Sequence, residues 1–188
     1  MSFRKGILTV LALSLSLSAM QTLKAADTNV ATSTLSLNIP EVSLIKTSAS
    51  VINLSLLQQN AGQSIEASKS DSTARLLLSS VIRATNRTLS AKITSGTVPT
   101  GTILKLQAKQ PNASLIGSAG TLGSEVTLDA TDRPIVTNIT TCYSGTAASD
   151  GYPLRFTFAL DSNTATYGAL RANSGATIIV TLTLTAAQ

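Results

Sequence analysis

The sequence predicts an all-β chain: an antiparallel β-sandwich with Greek-key or immunoglobulin-like connections, or a closed Greek-key barrel. Three observations predict it. Apolar residues recur with period two in nearly every patterned segment, which places them on one face of a strand. Gly, Pro, Asn and Asp clusters punctuate these segments at short intervals, and no amphipathic helical stripe follows the first 25 residues.

The first alternating segment holds Leu35, Leu37 and Ile39 among Ser and Asn, stops at Pro40, and resumes with Val42 and Leu44. "SVINLSLL" follows, with Ile52, Leu54 and Leu56 on one face. Residues 58–73 are polar and read as a long exposed loop, and "ARLLLSSVIR" then reads as a helical turn or a buried strand, the strand being preferred. "RTLSAKIT" and "TILKLQAK" flank "SGTVPTG", where Pro99 pre-sets φ and Gly101 eases the exit, so a hairpin or a close relative is expected. A Gly- and Ser-bearing loop leads to "SEVTLDA", and "RPIVTNITT" carries Pro134 at a strand start or edge. In "YPLRFTFAL", Leu154, Phe156, Phe158 and Leu160 face one way and Arg155, Thr157 and Ala159 the other. The last strand puts Ile178, Val180, Leu182 and Leu184 on its apolar face. It is long and uncharged, so it is expected to lie paired within the sheet rather than exposed as an edge.

The first residues set the compartment. Arg4 and Lys5 precede "GILTVLALSLSLSAM" and a small-residue exit at "LKA", the layout of a secretory signal peptide cleaved near Ala25. Residues 26–188 then form one domain, with no transmembrane segment after cleavage. The formal charge of +5 includes Arg4, Lys5 and Lys24, and the remaining chain is close to neutral. Its Lys and Arg are spread singly, which excludes the basic stripe a nucleic-acid partner needs.

Composition excludes further classes. The chain has no His, so Ser-His-Asp and Cys-His catalysis, His-ligated zinc and a His-based pH switch are all absent. It has no Trp and only 3% aromatic residues, a poor basis for stacking sugar rings. Cys142 is the only cysteine, so no intramolecular disulfide forms and the core alone holds the fold. A lone Cys in "TNITTCYSGT", with no activating base beside it, reads as a buried small apolar side chain.

No motif specifies a reaction, so the expectation is no catalytic residue, no cofactor and no metal. Asp129 and Asp132, with Asp150 or Asp161, are candidate cation ligands, but their spacing lacks the density of a calcium loop and suits turn-forming Asp better. Four Asn-x-Ser/Thr sequons, at Asn53, Asn86, Asn112 and Asn138, match the frequency expected by chance in so Ser- and Thr-rich a chain. "DST" at Asp71 resembles a short O-glycosylation acceptor of Bacteroidota. Ranked Thr in "TIIVTLTLT" reads as the solvent face of a half-buried strand rather than an ice-binding plane.

With its leader, its alternating "TSTLSLNIPEVSLI", its Ser/Thr-rich β-domain and its closing "SGATIIVTLTLTAAQ", the chain resembles pilin-type subunits of bacterial fimbriae, nearer the Cys-poor group. "ITSGTVPTGTILKLQA", "GSEVTLDATDRPIVTNITTCYSGT" and "GYPLRFTFAL" also resemble small secreted β-proteins of Bacteroidota. The fimbrial resemblance implies a non-enzymatic structural or adhesive subunit that passes the periplasm to the cell surface and associates with its own kind. Strand addition is the device that such assembly uses. It makes Leu35, Leu37 and Ile39 donor anchors within residues 32–39, and Ile178, Val180, Leu182 and Leu184 the acceptor core. The alternative is a monomeric secreted sandwich that binds a glycan or host protein through loops 108–123 and 144–153.

Overall fold

A computed structural model describes residues 30–49, 51–57, 60–162, 164–173 and 175–186. The expected signal peptide and its cleavage point lie outside them. Residues 1–38 and 39–188 form separate units. Of the first, residues 30–38 are all exposed and form no strand.

The second unit is a two-layer antiparallel β-sandwich; it does not close into a barrel. One sheet holds β1 (Val42–Thr47), β2 (Ser68–Asp71), β3 (Arg75–Val81), β5 (Thr102–Ala108), β6 (Ile116–Gly117), β8 (Val126–Thr127), β10 (Cys142–Tyr143) and β11 (Tyr152–Leu160). Its central order is β6-β10-β3-β11-β5-β8, with β1 added to β3 and β2 added to β11. The other sheet, in the order β12-β4-β9-β7, holds β4 (Arg87–Ser95), β7 (Thr121–Leu122), β9 (Arg133–Ile139) and β12 (Ile179–Ala186). A six-residue 3-10 turn spans Thr164–Ala169.

Alternation builds the core as expected. Leu76 and Leu78 of β3, Leu89 and Ala91 of β4, and Leu104, Leu106 and Ala108 of β5 point inward, together with Ile135, Val136 and Ile139 of β9. Tyr152 and Leu154 of β11 complete it. Side chains of period two on facing sheets interdigitate across the gap, so each strand contributes every second residue.

Several expectations change. β4 and β5 belong to different sheets, so 95–101 is an arch between layers and not a hairpin; its turn is nonetheless the one Pro99 and Gly101 dictate, with Thr102 N–H donating to Pro99 O at 3.1 Å and Gly101 at φ 80°. The polar stretch 58–73 contains β2, which pairs with Phe156 to Ala159 of β11. "SVINLSLL" keeps its alternation of burial, and Ile52 and Leu54 pack on the core, yet residues 51–57 make no sheet ladder. Apolar period two therefore docked the side chains without supplying a backbone partner. On β11 the faces switch past Phe156: Thr157 and Ala159 are buried, while Phe158 and Leu160 are half-buried. Neighbours from the same sheet cover Thr157, whose Oγ1 donates to Glu125 at 3.0 Å and lies 3.0 Å from Ser70 Oγ of β2.

Candidate functional site

The terminal strand departs most from its expectation. β12 pairs with β4 from Ile179 opposite Ser95 to Ala186 opposite Arg87, and no strand pairs with its other side among the described residues. It is an edge. Its sequence, IVTLTLTA, carries none of the Lys, Glu or Pro residues that usually blunt an exposed edge. Ile178, Val180, Leu182 and Leu184, the predicted acceptor residues, are half-buried against the core, so the inward face of this edge is apolar and incompletely covered.

The predicted donor anchors are nearly bare. Leu35 is 76% exposed, Leu37 88% and Ile39 84%, values far above those of any core residue. None of them takes part in a strand, and Pro40, which has no N–H to give a ladder, closes the segment.

The chain enters the sandwich at a defined point. Glu41 Oε1 accepts from Arg87 Nη2 at 2.6 Å, and Arg87 is only 6% exposed. Arg87 Nε is buried and makes no hydrogen bond to a described residue, and among the described residues Glu41 is the carboxylate paired with this guanidinium. Arg87 stands opposite both Ala186 of β12 and Ile139 of β9. The root of the N-terminal segment is therefore held at the Ala186 end of the free edge.

The two candidate binding loops are brought together at another place. Ser114 Oγ donates to Ser144 O at 2.9 Å, Asn112 Nδ2 donates to Ser149 O and Asp150 Oδ1 at 3.1 Å each, and Tyr152 OH donates to Ala119 O at 2.7 Å. Burial pushes the Tyr152 hydroxyl well above its usual range, which keeps it a donor. β6 and β10 seal the junction, pairing Gly117 with Cys142 and Ile116 with Tyr143. Gly117 sits at φ 96°, and a Cβ there would stand 2.3 Å from Thr141 O, so only Gly permits this approach. A shallow, largely apolar cleft of about 200 Å³ opens here, lined by Ser79, Val81, Ile116, Thr141, Cys142 and Tyr143. Ile116 and Tyr143 are 54% and 53% exposed at its rim. Cys142 is buried, as expected, and burial raises its thiol above the ordinary value, so it stays protonated and unreactive.

The carboxylates do not converge. Asp129 is held by Arg133 and by the Thr131 N–H, Asp132 by Lys92 at 2.9 Å, and Asp150 by Asn112 and the Ala147 N–H. Hydrogen bonds from these partners draw the Asp129 and Asp150 carboxyls below their usual range. Glu125 faces Arg155 at 3.1 Å and Lys105 at 3.8 Å. Among the described residues, no three Cys, Asp or Glu side chains gather closely enough to share a metal ion. No described helix is long and apolar enough to cross a membrane.

Periodicity picked out the apolar residues of β12 and of residues 35–39, but Glu41 and Arg87 carried no signal of pairing across 46 positions. No family model matches the chain, and no similar curated protein or solved structure was found.

Proposed function

We propose that the protein is a non-enzymatic, secreted structural or adhesive surface subunit of fimbrial type, which assembles when residues 32–39 of one copy add as a strand to β12 of another. The observation that carries this reading is a complementary pair of incomplete features. An alternating segment leaves Leu35, Leu37 and Ile39 exposed, and an uncharged edge strand leaves Val180, Leu182 and Leu184 half-covered. Anchors spaced by two residues on both sides match one for one. Main-chain hydrogen bonds to the free edge supply affinity, and alternate side chains supply fit.

The test is the light-scattering mass of the chain without its leader, compared with one that also lacks residues 26–40. Oligomers that disappear on truncation, and a truncated monomer that binds a "TSTLSLNIP" peptide, support the reading. A full-length monomer that ignores the peptide sinks it.

The joined loops favour a second reading, a monomeric module that binds a glycan or host protein at the Ile116–Tyr143 cleft. It predicts saturable binding that Tyr143→Ala abolishes while the melting temperature holds.

A further inference from the structure

Strand addition to β12 leaves its direction open, and the Glu41–Arg87 pair bears on it. A strand running parallel to β12 would bring Ile39 of the incoming copy beside the Ala186 end. Its own domain begins at most about 7 Å of chain later, at Glu41. That end already holds the acceptor's own Glu41 carboxylate, bound to buried Arg87 opposite Ala186, and the chain that leads from it into β1, a neighbour of β12. An antiparallel strand puts Ile39 near Val180, so the incoming domain lands at the Ile179 end, away from the acceptor's root. Leu37 then lies opposite Leu182 and Leu35 opposite Leu184, and Ser36 and Thr34 share the solvent face with Thr183 and Thr185.

We propose that the Glu41–Arg87 ion pair is a positioning device: by rooting the N-terminal segment at the Ala186 end of β12, it restricts the incoming strand of a second copy to the antiparallel direction and makes assembly head-to-tail. This inference rests on the strand-addition reading. The acceptor's root blocks one end of its own edge and leaves the other free, so each subunit offers a donor at one end and receives one from the other.

Cross-linking between two differently marked copies tests it, with Cys142→Ala in both and the leader removed. Donor copies carry Thr34→Cys; acceptor copies carry either Thr185→Cys or Thr181→Cys, four residues or about 13 Å apart along β12. With a short bis-maleimide, the Thr185→Cys acceptor is expected to give at least tenfold more mixed dimer than the Thr181→Cys acceptor. Placing Glu41→Gln in the acceptor alone is expected to bring that ratio toward one, while the same change in the donor leaves it unaltered. Melting curves confirm that each variant is folded, and Glu41→Gln with Arg87→Met repeats the test without a buried unpaired cation. A preference for the Thr181→Cys acceptor overturns the antiparallel direction but leaves strand addition standing. A ratio insensitive to acceptor Glu41→Gln, with the fold intact, overturns the role of the ion pair. Copies that stay monomeric and give no mixed dimer overturn strand addition itself.

Discussion

Leu37 offers the sharpest measure of the donor segment, because it is the most exposed of the three anchors at 88%. Leu37→Ala removes three carbons. At about 0.8 kcal/mol per buried CH2, and with nearly all of that side chain still available for burial, the loss on assembly is about 2 kcal/mol. Each 1.4 kcal/mol is a factor of ten, so the affinity of the segment for the acceptor is expected to fall about 30-fold. The acceptor can be the chain lacking residues 26–40, since among the described residues of that stretch none is a core side chain of the sandwich. Calorimetric titration with a peptide of residues 32–40 reads the affinity, and the peptide with Ser36→Ala is the control. Ser36 lies on the opposite face of the strand, so its loss is expected to change Kd less than threefold. Equal losses for both substitutions would refute an alternating strand, and a larger loss for Ser36→Ala would reverse the assigned face.

Other consequences concern stability and the loop junction. Tyr152→Phe leaves the Ala119 carbonyl without its donor and should cost about 1 to 3 kcal/mol, read as a lower urea midpoint; an unchanged midpoint means that the junction contributes nothing. Gly117→Ala forces a Cβ against Thr141 O at positive φ and should lower the melting temperature more than Gly62→Ala, which meets no neighbour although its φ is also positive. Asp71, Asp129 and Asp150 are all held below the usual carboxylate value of 3.8 by their hydrogen bonds. Their contribution is present above that value and is lost as pH falls through the lowered folded-state values. Urea stability should therefore hold from pH 7 to about 5 and decline below about 4, and the triple Asn variant should show a flatter acid limb. Cys142 should resist maleimide at pH 8 in the native protein and react within minutes in denaturant; rapid native labelling would contradict its burial.

Period two in the sequence was enough to name the fold class, because it reports which side chains a strand buries. It located β3, β4, β5, β9 and β11, and it placed Val180, Leu182 and Leu184 on the core side of β12. It does not report backbone partners. Residues 51–57 and 35–39 carry the same pattern as β12, yet neither forms a ladder, since a ladder depends on what lies alongside and alternation is silent on that. The same limit hid the edge position of β12 and the separation of β4 from β5 into two layers. Loop chemistry was legible only where one residue type decides the geometry, as at Pro99 and Gly101. The joining of loops 108–123 and 144–153 rests on Ser114, Ser144 and Asn112, common residues whose partners lie about 30 positions or more away.

The arch between β4 and β5 shapes how the chain folds. By passing β5 to the other layer, it leaves β4 to find its partners far downstream: Arg87 meets Ile139 and Ala186, and Ser95 meets Ile179. Both neighbours of β4 are thus non-local, and loop closure must precede any reward from pairing. Such a topology belongs with the slow β-folders, which take milliseconds to seconds. During that interval the β4 ladder has two open sides, and the partner that lies farther along the chain, β12, is also the strand whose outer side stays unpaired among the described residues.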